Sequence, residues 1–247
     1  MKLKLKLKYG KRGRKYRKKR FRKSKAKRVI MRTAETKLCS YEYGVSGFNR
    51  GINSVGDVID CIPALTQGTS QKQRIGNRVT PVKLVIRGYI AYDTGSIVYP
   101  SHLGVRLFCY SDRGNPSSSD AAVNYNLINE GGTSRTFTGS PIDFDCPHNN
   151  DQFRFYKDMR FRMFKPYGLT GSLVTAMTDP GINLYKPFKI VIKKFPRELR
   201  YDQAESLNYP VNFLPRMSLG FCDLNGGEPS GVEIKMTFIS TLYYKDF

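Results

Sequence analysis

The chain has 247 residues, with 42 Lys or Arg against 20 Asp or Glu and a formal net charge of +22. That length supports one sizeable core, and no apolar stretch approaches the roughly 18 residues of a membrane-spanning helix. Five dispersed cysteines, Cys39, Cys61, Cys109, Cys146 and Cys222, form no C-x-x-C pair. They argue against a disulfide framework or zinc site and read as small buried apolar residues in a reducing compartment.

In chain order, the first 28 residues come first, MKLKLKLKYGKRGRKYRKKRFRKSKAKR. They hold 17 of the basic residues and no acidic one, leaving 25 basic and 20 acidic residues for the body. The block repels itself and has too little apolar surface to bury, so in isolation it is expected to be disordered. No apolar core follows its charges, which excludes a secretory signal. Its expected partner is a polyanion, with nucleic acid first. The nucleic-acid-binding candidates are Lys2, Lys4, Lys6, Lys8, Lys11, Arg12, Arg14, Lys15, Arg17, Lys18, Lys19, Arg20, Arg22, Lys23, Lys25, Lys27 and Arg28. The denser run Lys11, Arg12, Arg14, Lys15, Arg17, Lys18, Lys19 and Arg20 also reads as a nuclear localisation signal. Tyr9, Tyr16 and Phe21 are either stacking groups for unpaired bases or spacers. Leu3, Leu5 and Leu7 alternate with lysine, and an extended chain would place them on one face.

Val29–Glu35 reads as a hinge, so residues 1–35 form one unit and 36–247 another. Thr36–Tyr43 is the first expected strand, and Val45–Ser54 a Gly/Asn-rich loop. Val55–Pro63 fits a short edge strand or a helical turn. Gln67–Asn77 is a loop before the strong strand Val82–Tyr92, in which Gly88 marks an expected bulge. Leu103–Ser111 is a strand followed by turn residues, and Asp120–Asn129 is the one short helix expected. Phe153–Asp158 and Arg160–Phe164 read as two adjacent strands. Phe188–Phe195, Met217–Cys222 and Val232–Tyr244 follow. In the last, Val232, Ile234, Met236 and Phe238 share a face. Strands separated by Gly/Pro/Asn/Ser loops predict an all-β antiparallel sandwich or barrel. Long loops, Gly44–Asn53 and Ser111–Gly132 among them, exceed what a monomeric sandwich needs and suggest contacts between copies.

Catalytic chemistry is hard to build from these residues. His102 and His148 are the only histidines; each lies within two residues of a proline, reads as a loop residue and has no nucleophile motif beside it. There is no phosphate-binding loop and no H-E-x-x-H pattern. Asp143, Asp145 and Asp151 offer oxygen ligands of the kind calcium takes, but turn-forming loop carboxylates explain them as well. The expectation is a non-enzyme with no cofactor and no metal.

The segment Gln67–Gly76 (QGTSQKQRIG), directly before Val82–Tyr92, resembles the stretch before the second jelly-roll strand in capsid proteins of circovirus-like small circular single-stranded DNA viruses. Phe153–Asp158 (FRFYKD), Phe188–Lys193 (FKIVIK) and Thr241–Asp246 (TLYYKD) resemble later strands of that group, in the same order. The Lys-rich start of the arm departs from the Arg-dominated circovirus arm and points to a relative rather than a circovirus proper. The resemblance implies a single eight-stranded antiparallel jelly roll of two four-stranded sheets over residues 36–247. It implies self-association into a shell of about sixty copies with arms turned inward. Roughly 1,000 arm charges would then face a single-stranded genome on the order of one to a few kilobases. Expected locations are the virion and the host cell nucleus, and expected partners are single-stranded DNA, other copies and host nuclear import receptors. A satellite-type single-stranded RNA virus capsid shares this fold and arm, and a cellular nucleic-acid-binding protein with a basic tail is the rival from another class.

Overall fold

The structure, a computed structural model, describes residues 35–48, 50–70, 72–93, 101–116, 124–165, 185–202, 208–225 and 233–246. Its strands are β1 (Thr36–Phe48), β2 (Val58–Asp60), β3 (Arg78–Asp93), β4 (Ser101–Asp112), β5 (Ile128–Glu130), β6 (Thr133–Arg135), β7 (Phe153–Lys165), β8 (Tyr185–Ile192), β9 (Leu199–Arg200), β10 (Arg216–Asp223) and β11 (Glu233–Lys245).

Eight of these strands make two four-stranded sheets, ordered β1-β11-β3-β8 and β2-β10-β4-β7. Counting only those eight, the first strand pairs with the last, the second with the seventh, the third with the sixth and the fourth with the fifth. Every one of these pairs is antiparallel. This is a long hairpin folded over on itself, the connectivity of a jelly roll. The short strand β9 adds to β3, and β5 and β6 form a separate hairpin. The β5-β6 turn is Gly131-Gly132, both at positive φ (57° and 87°), which a two-residue type I′ turn requires.

Period-two alternation builds the core. On β11, Ile234, Met236, Phe238, Ser240, Leu242 and Tyr244 point inward; Leu84, Ile86 and Ile90 of β3 and Phe188, Ile190 and Ile192 of β8 join them. Leu103, Val105 and Leu107 of β4 and Met217, Leu219 and Phe221 of β10 close the other side. Val232 and the rest of 226–232 lie outside the described residues.

Several local expectations change. The expected bulge at Gly88 is absent: Gly88 stays in register opposite Phe238, and an added Cβ would collide with the backbone of Thr237 and the side chain of Phe238. The bulge instead falls at Val82, between the pairs Lys83–Tyr243 and Pro81–Tyr244, which turns Val82 outward. The two strands expected over 153–164 are one, β7, because Asp158 is neutralised within the ladder rather than ending it. A register shift near Tyr156 accommodates the extra residue. The loop expected from Val45 begins later, since β11 continues to Ile234 and carries β1 with it to Phe48 across a bulge. Val55–Pro63 forms both alternatives: a 3-10 turn at Val55–Asp57, then the edge strand β2.

The expected helix at Asp120–Asn129 is not observed where the structure describes it. Asn124 Oδ1 accepts from the Asn126 N–H at 2.9 Å, an alternative local bond that holds 124–127 irregular, and Ile128 enters β5. Residues 117–123 lie outside the described residues. A helix does form at Pro141–Asp145 (α1), with Pro141 pre-set for the first turn and Asp143 Oδ2 accepting from the Ser140 N–H.

All five cysteines are buried and free. Burial lifts the Cys222 thiol to about 11. Burial, with Cys39 and Asp246 nearby, lifts the Tyr244 phenol to about 12. Both neutral forms are favoured by folding, so their stabilisation is complete below about pH 9 and is lost as pH rises through those values. The thermal midpoint, followed by differential scanning fluorimetry, is expected to be insensitive to these groups up to pH 9 and to fall between pH 9 and 12. A midpoint unchanged to pH 12 would contradict this.

Candidate nucleic-acid interface

The seventeen basic candidates of residues 1–28, the localisation run within them, and Tyr9, Tyr16 and Phe21 lie outside the described residues. What the structure places is the body to which that segment is joined at β1.

The motif residues of the body hold the jelly roll together. Arg74, in the Gln67–Gly76 segment, is buried. Its guanidinium donates to the carbonyls of Leu65 (3.1 Å) and Gly76 (2.9 Å) and to Asn77 Oδ1 (3.0 Å), and lies 4.7 Å from the Tyr201 ring centroid. One side chain thus fixes the loop that delivers the chain into β3. That strand is third in chain order rather than second, because β2 precedes it. Asp246 of the closing motif accepts from the Ile75 N–H at 2.5 Å and from Lys37 Nζ at 3.3 Å, tying the end of the chain to β1 and to the same loop.

Asp158, the acid of the FRFYKD motif, meets Arg106. The pair is bidentate, with Arg106 Nε 3.0 Å from Oδ1 and Nη2 2.7 Å from Oδ2. Arg106 Nη1 also donates to the carbonyls of Asp143 and Cys146, each at 2.7 Å. Arg106 is fully buried, although its place in the LGVRLFCYS alternation reads as solvent-facing. The outer side of β4 is covered by the connection between β4 and β7. Leu127, Ile128, Phe137 and Cys146 pack there with Phe108, Tyr110 and Phe153 in a second apolar cluster. The overlooked signal lay in the strand itself: Gly104, Phe108 and Tyr110 share the face of Arg106, so that face is apolar too.

The three aspartates considered as cation ligands separate. Asp143 is buried, accepts from the backbone N–H groups of Thr138, Gly139 and Ser140, and pairs with Arg135. Asp145 is exposed and 3.4 Å from Arg160, and Asp151 is exposed. His102 lies in β4, where the strand extends two residues beyond the expected start, with its ring 4.4 Å from that of Phe164. His148 sits beside Phe155, with Nδ1 3.6 Å from Asp158.

The two sheets therefore differ outside. The β2-β10-β4-β7 sheet is roofed by its own chain. The outer side of β1-β11-β3-β8 carries, from edge to edge, the cross-strand rows Leu38–Tyr243–Lys83, Ser40–Thr241–Val85–Val191, Glu42–Ile239–Arg87–Lys189 and Gly44–Thr237–Tyr89–Pro187. Leu38, Ile239, Tyr89 and Val191 are exposed there.

No family model and no curated protein matches this chain. Among solved structures, it is similar to the decameric BFDV capsid protein over 85% of this chain and 97% of that one, at 13% identity and a TM-score of 0.34. It is also similar to the infectious bursal disease virus VP2 subviral particle over 87% of this chain but 38% of that one, at 11% identity and a TM-score of 0.22. The jelly-roll class rests on the strand order and pairing of this chain.

Proposed function

We propose that this chain is the capsid protein of a small virus, assembling through residues 36–247 into a closed icosahedral shell and packaging single-stranded DNA through residues 1–28. The observation that carries this reading is one chain joining an uninterrupted polycation to a mirror-paired eight-stranded sandwich. The sandwich supplies a rigid wall, and the polycation displaces counterions from a packaged polyanion. The same basic run, Lys11 to Arg20, would engage host nuclear import receptors, so the protein acts in the host nucleus and in the virion. The role is structural rather than catalytic, and needs no cofactor.

Purified full-length protein, given single-stranded DNA at neutral pH, is expected to form closed particles of uniform size by electron microscopy and light scattering. A species that stays monomeric under those conditions would remove the capsid reading. Sequencing the nucleic acid that co-purifies from the host tests the cargo; RNA would replace DNA as the packaged genome.

The loops expected to join copies are partly occupied within the subunit. Ile52 is fully buried and its N–H donates to the Phe137 carbonyl at 2.8 Å, and Leu127 and Ile128 are buried on their own sheet. Arg113 and Gly114, at the end of β4, remain exposed for such contacts.

A further inference from the structure

We infer that the outer face of the β1-β11-β3-β8 sheet is a second nucleic-acid contact, on which Tyr89 and Tyr185 stack unpaired bases while Arg87 and Lys189 hold the adjoining phosphates. The inference rests on the packaging function proposed above and extends it from the arm to the folded body.

Arg87 and Lys189 are directly opposite each other across the β3-β8 ladder. Like charges in that position repel and destabilise a sheet. Both are exposed, and among the described residues no carboxylate pairs with either. Glu42 is the one acid described in these outward rows, and it lies on the far edge strand, beyond Ile239. Lys83 adds a further cation, with Nζ 4.1 Å from the Tyr243 ring centroid. An arrangement that costs the isolated subunit stability is relieved by a bound anion.

Further along the same strands, Tyr89, two residues from Arg87, and Tyr185, four residues from Lys189, stack diagonally with centroids 4.9 Å apart and planes at 29°. Tyr185 is 55% exposed and Tyr89 36%. Two adjacent rings left in water are a platform for bases, and stacking is tolerant of sequence. Arg87 stands two residues, about 7 Å, from Tyr89 along β3, so a backbone can cross the cations while its bases reach the rings.

Charge complementarity selects the occupant. A second copy laid face to face would set Arg87 and Lys189 against their equivalents. The basic segment 1–28 would meet the same repulsion. A single-stranded polyanion neutralises the row and supplies flat apolar groups for Tyr89 and Tyr185.

The test is photo-cross-linking of the full-length protein to single-stranded DNA carrying 5-iododeoxyuridine, with cross-linked peptides mapped by mass spectrometry. Cross-links are expected at Tyr89 or Tyr185 in addition to residues of the arm. Tyr89→Leu/Tyr185→Leu should abolish the former and spare the latter, while Tyr89→Phe/Tyr185→Phe, which keeps both rings, should retain stacking and its cross-links. Arg87→Gln/Lys189→Gln should reduce the body cross-links about tenfold and lower the slope of log K against log salt by about 1.4, the share of two single-strand phosphate contacts. Cross-links confined to residues 1–34 overturn the proposal while leaving arm-mediated packaging intact. Absence of cross-links everywhere, with no particles formed, overturns the packaging function itself. Heparin binding that depends on Arg87 and Lys189, with no oligonucleotide cross-link at either tyrosine, assigns the face to sulfated polysaccharide and overturns the proposal.

Discussion

Deleting residues 1–28 is expected to leave the jelly roll folded and to remove nearly all affinity for single-stranded DNA. Among the described residues, the main core runs from Cys39 to Tyr244, and a segment so rich in charge has little apolar surface to add to it. The deletion takes away 17 of 42 basic residues and lowers the formal net charge from +22 to +5. Each single-strand phosphate contact contributes about −0.7 to the slope of log K against log salt, so the intact protein should show a steep slope and the truncated one a shallow remainder. Fluorescence anisotropy with labelled oligonucleotides across a salt series measures both. Converting Lys11, Arg12, Arg14, Lys15, Arg17, Lys18, Lys19 and Arg20 to Gln should weaken binding to all sequences alike, since phosphates carry no base information. It should also stop a fused reporter from accumulating in the nucleus. Undiminished binding by residues 29–247, or an affinity indifferent to salt, would remove the arm from its proposed role.

Asp158→Ala should be among the most damaging single substitutions in the body, costing about 3–5 kcal/mol. It leaves the fully buried Arg106 guanidinium with two carbonyl acceptors and no counter-charge. The damage should spread, because Arg106 joins β4 to the carbonyls of Asp143 and Cys146 in the covering connection. Replacing the pair together, Arg106→Met with Asp158→Leu, should recover much of the loss, since no buried charge is then left alone. Urea unfolding of the purified protein separates the two outcomes. A single mutant as stable as the parent would mean that water reaches Arg106.

The sheets were legible in the sequence because alternation survives wherever one side of a strand meets solvent. Ile234, Met236 and Phe238 announce β11, and Leu84, Ile86 and Ile90 announce β3. Alternation fails as a guide in β4 and β10, which are buried on both sides, and there it hid Arg106. Charge misled at Asp158, read as a strand end when its partner lay 52 residues earlier. Composition misled at 124–129, where the Asn124 side chain competes with a helix for the Asn126 N–H. The exposed Arg87–Lys189 row was beyond reach, because neither residue is unusual until cross-strand register sets them side by side.

The mirror pairing of the strands also bears on timing. β11 lies between β1 and β3, so the first sheet has a gap at its centre until the ribosome has added Lys245. Throughout synthesis, β1 and β3 are present without the strand that separates and pairs them. Such long-range closure is slow and leaves apolar edges open to association. A message cut short before residue 233 would therefore yield chains that lack an inner strand of the first sheet, with β1 and β3 left unpaired on the sides that β11 fills.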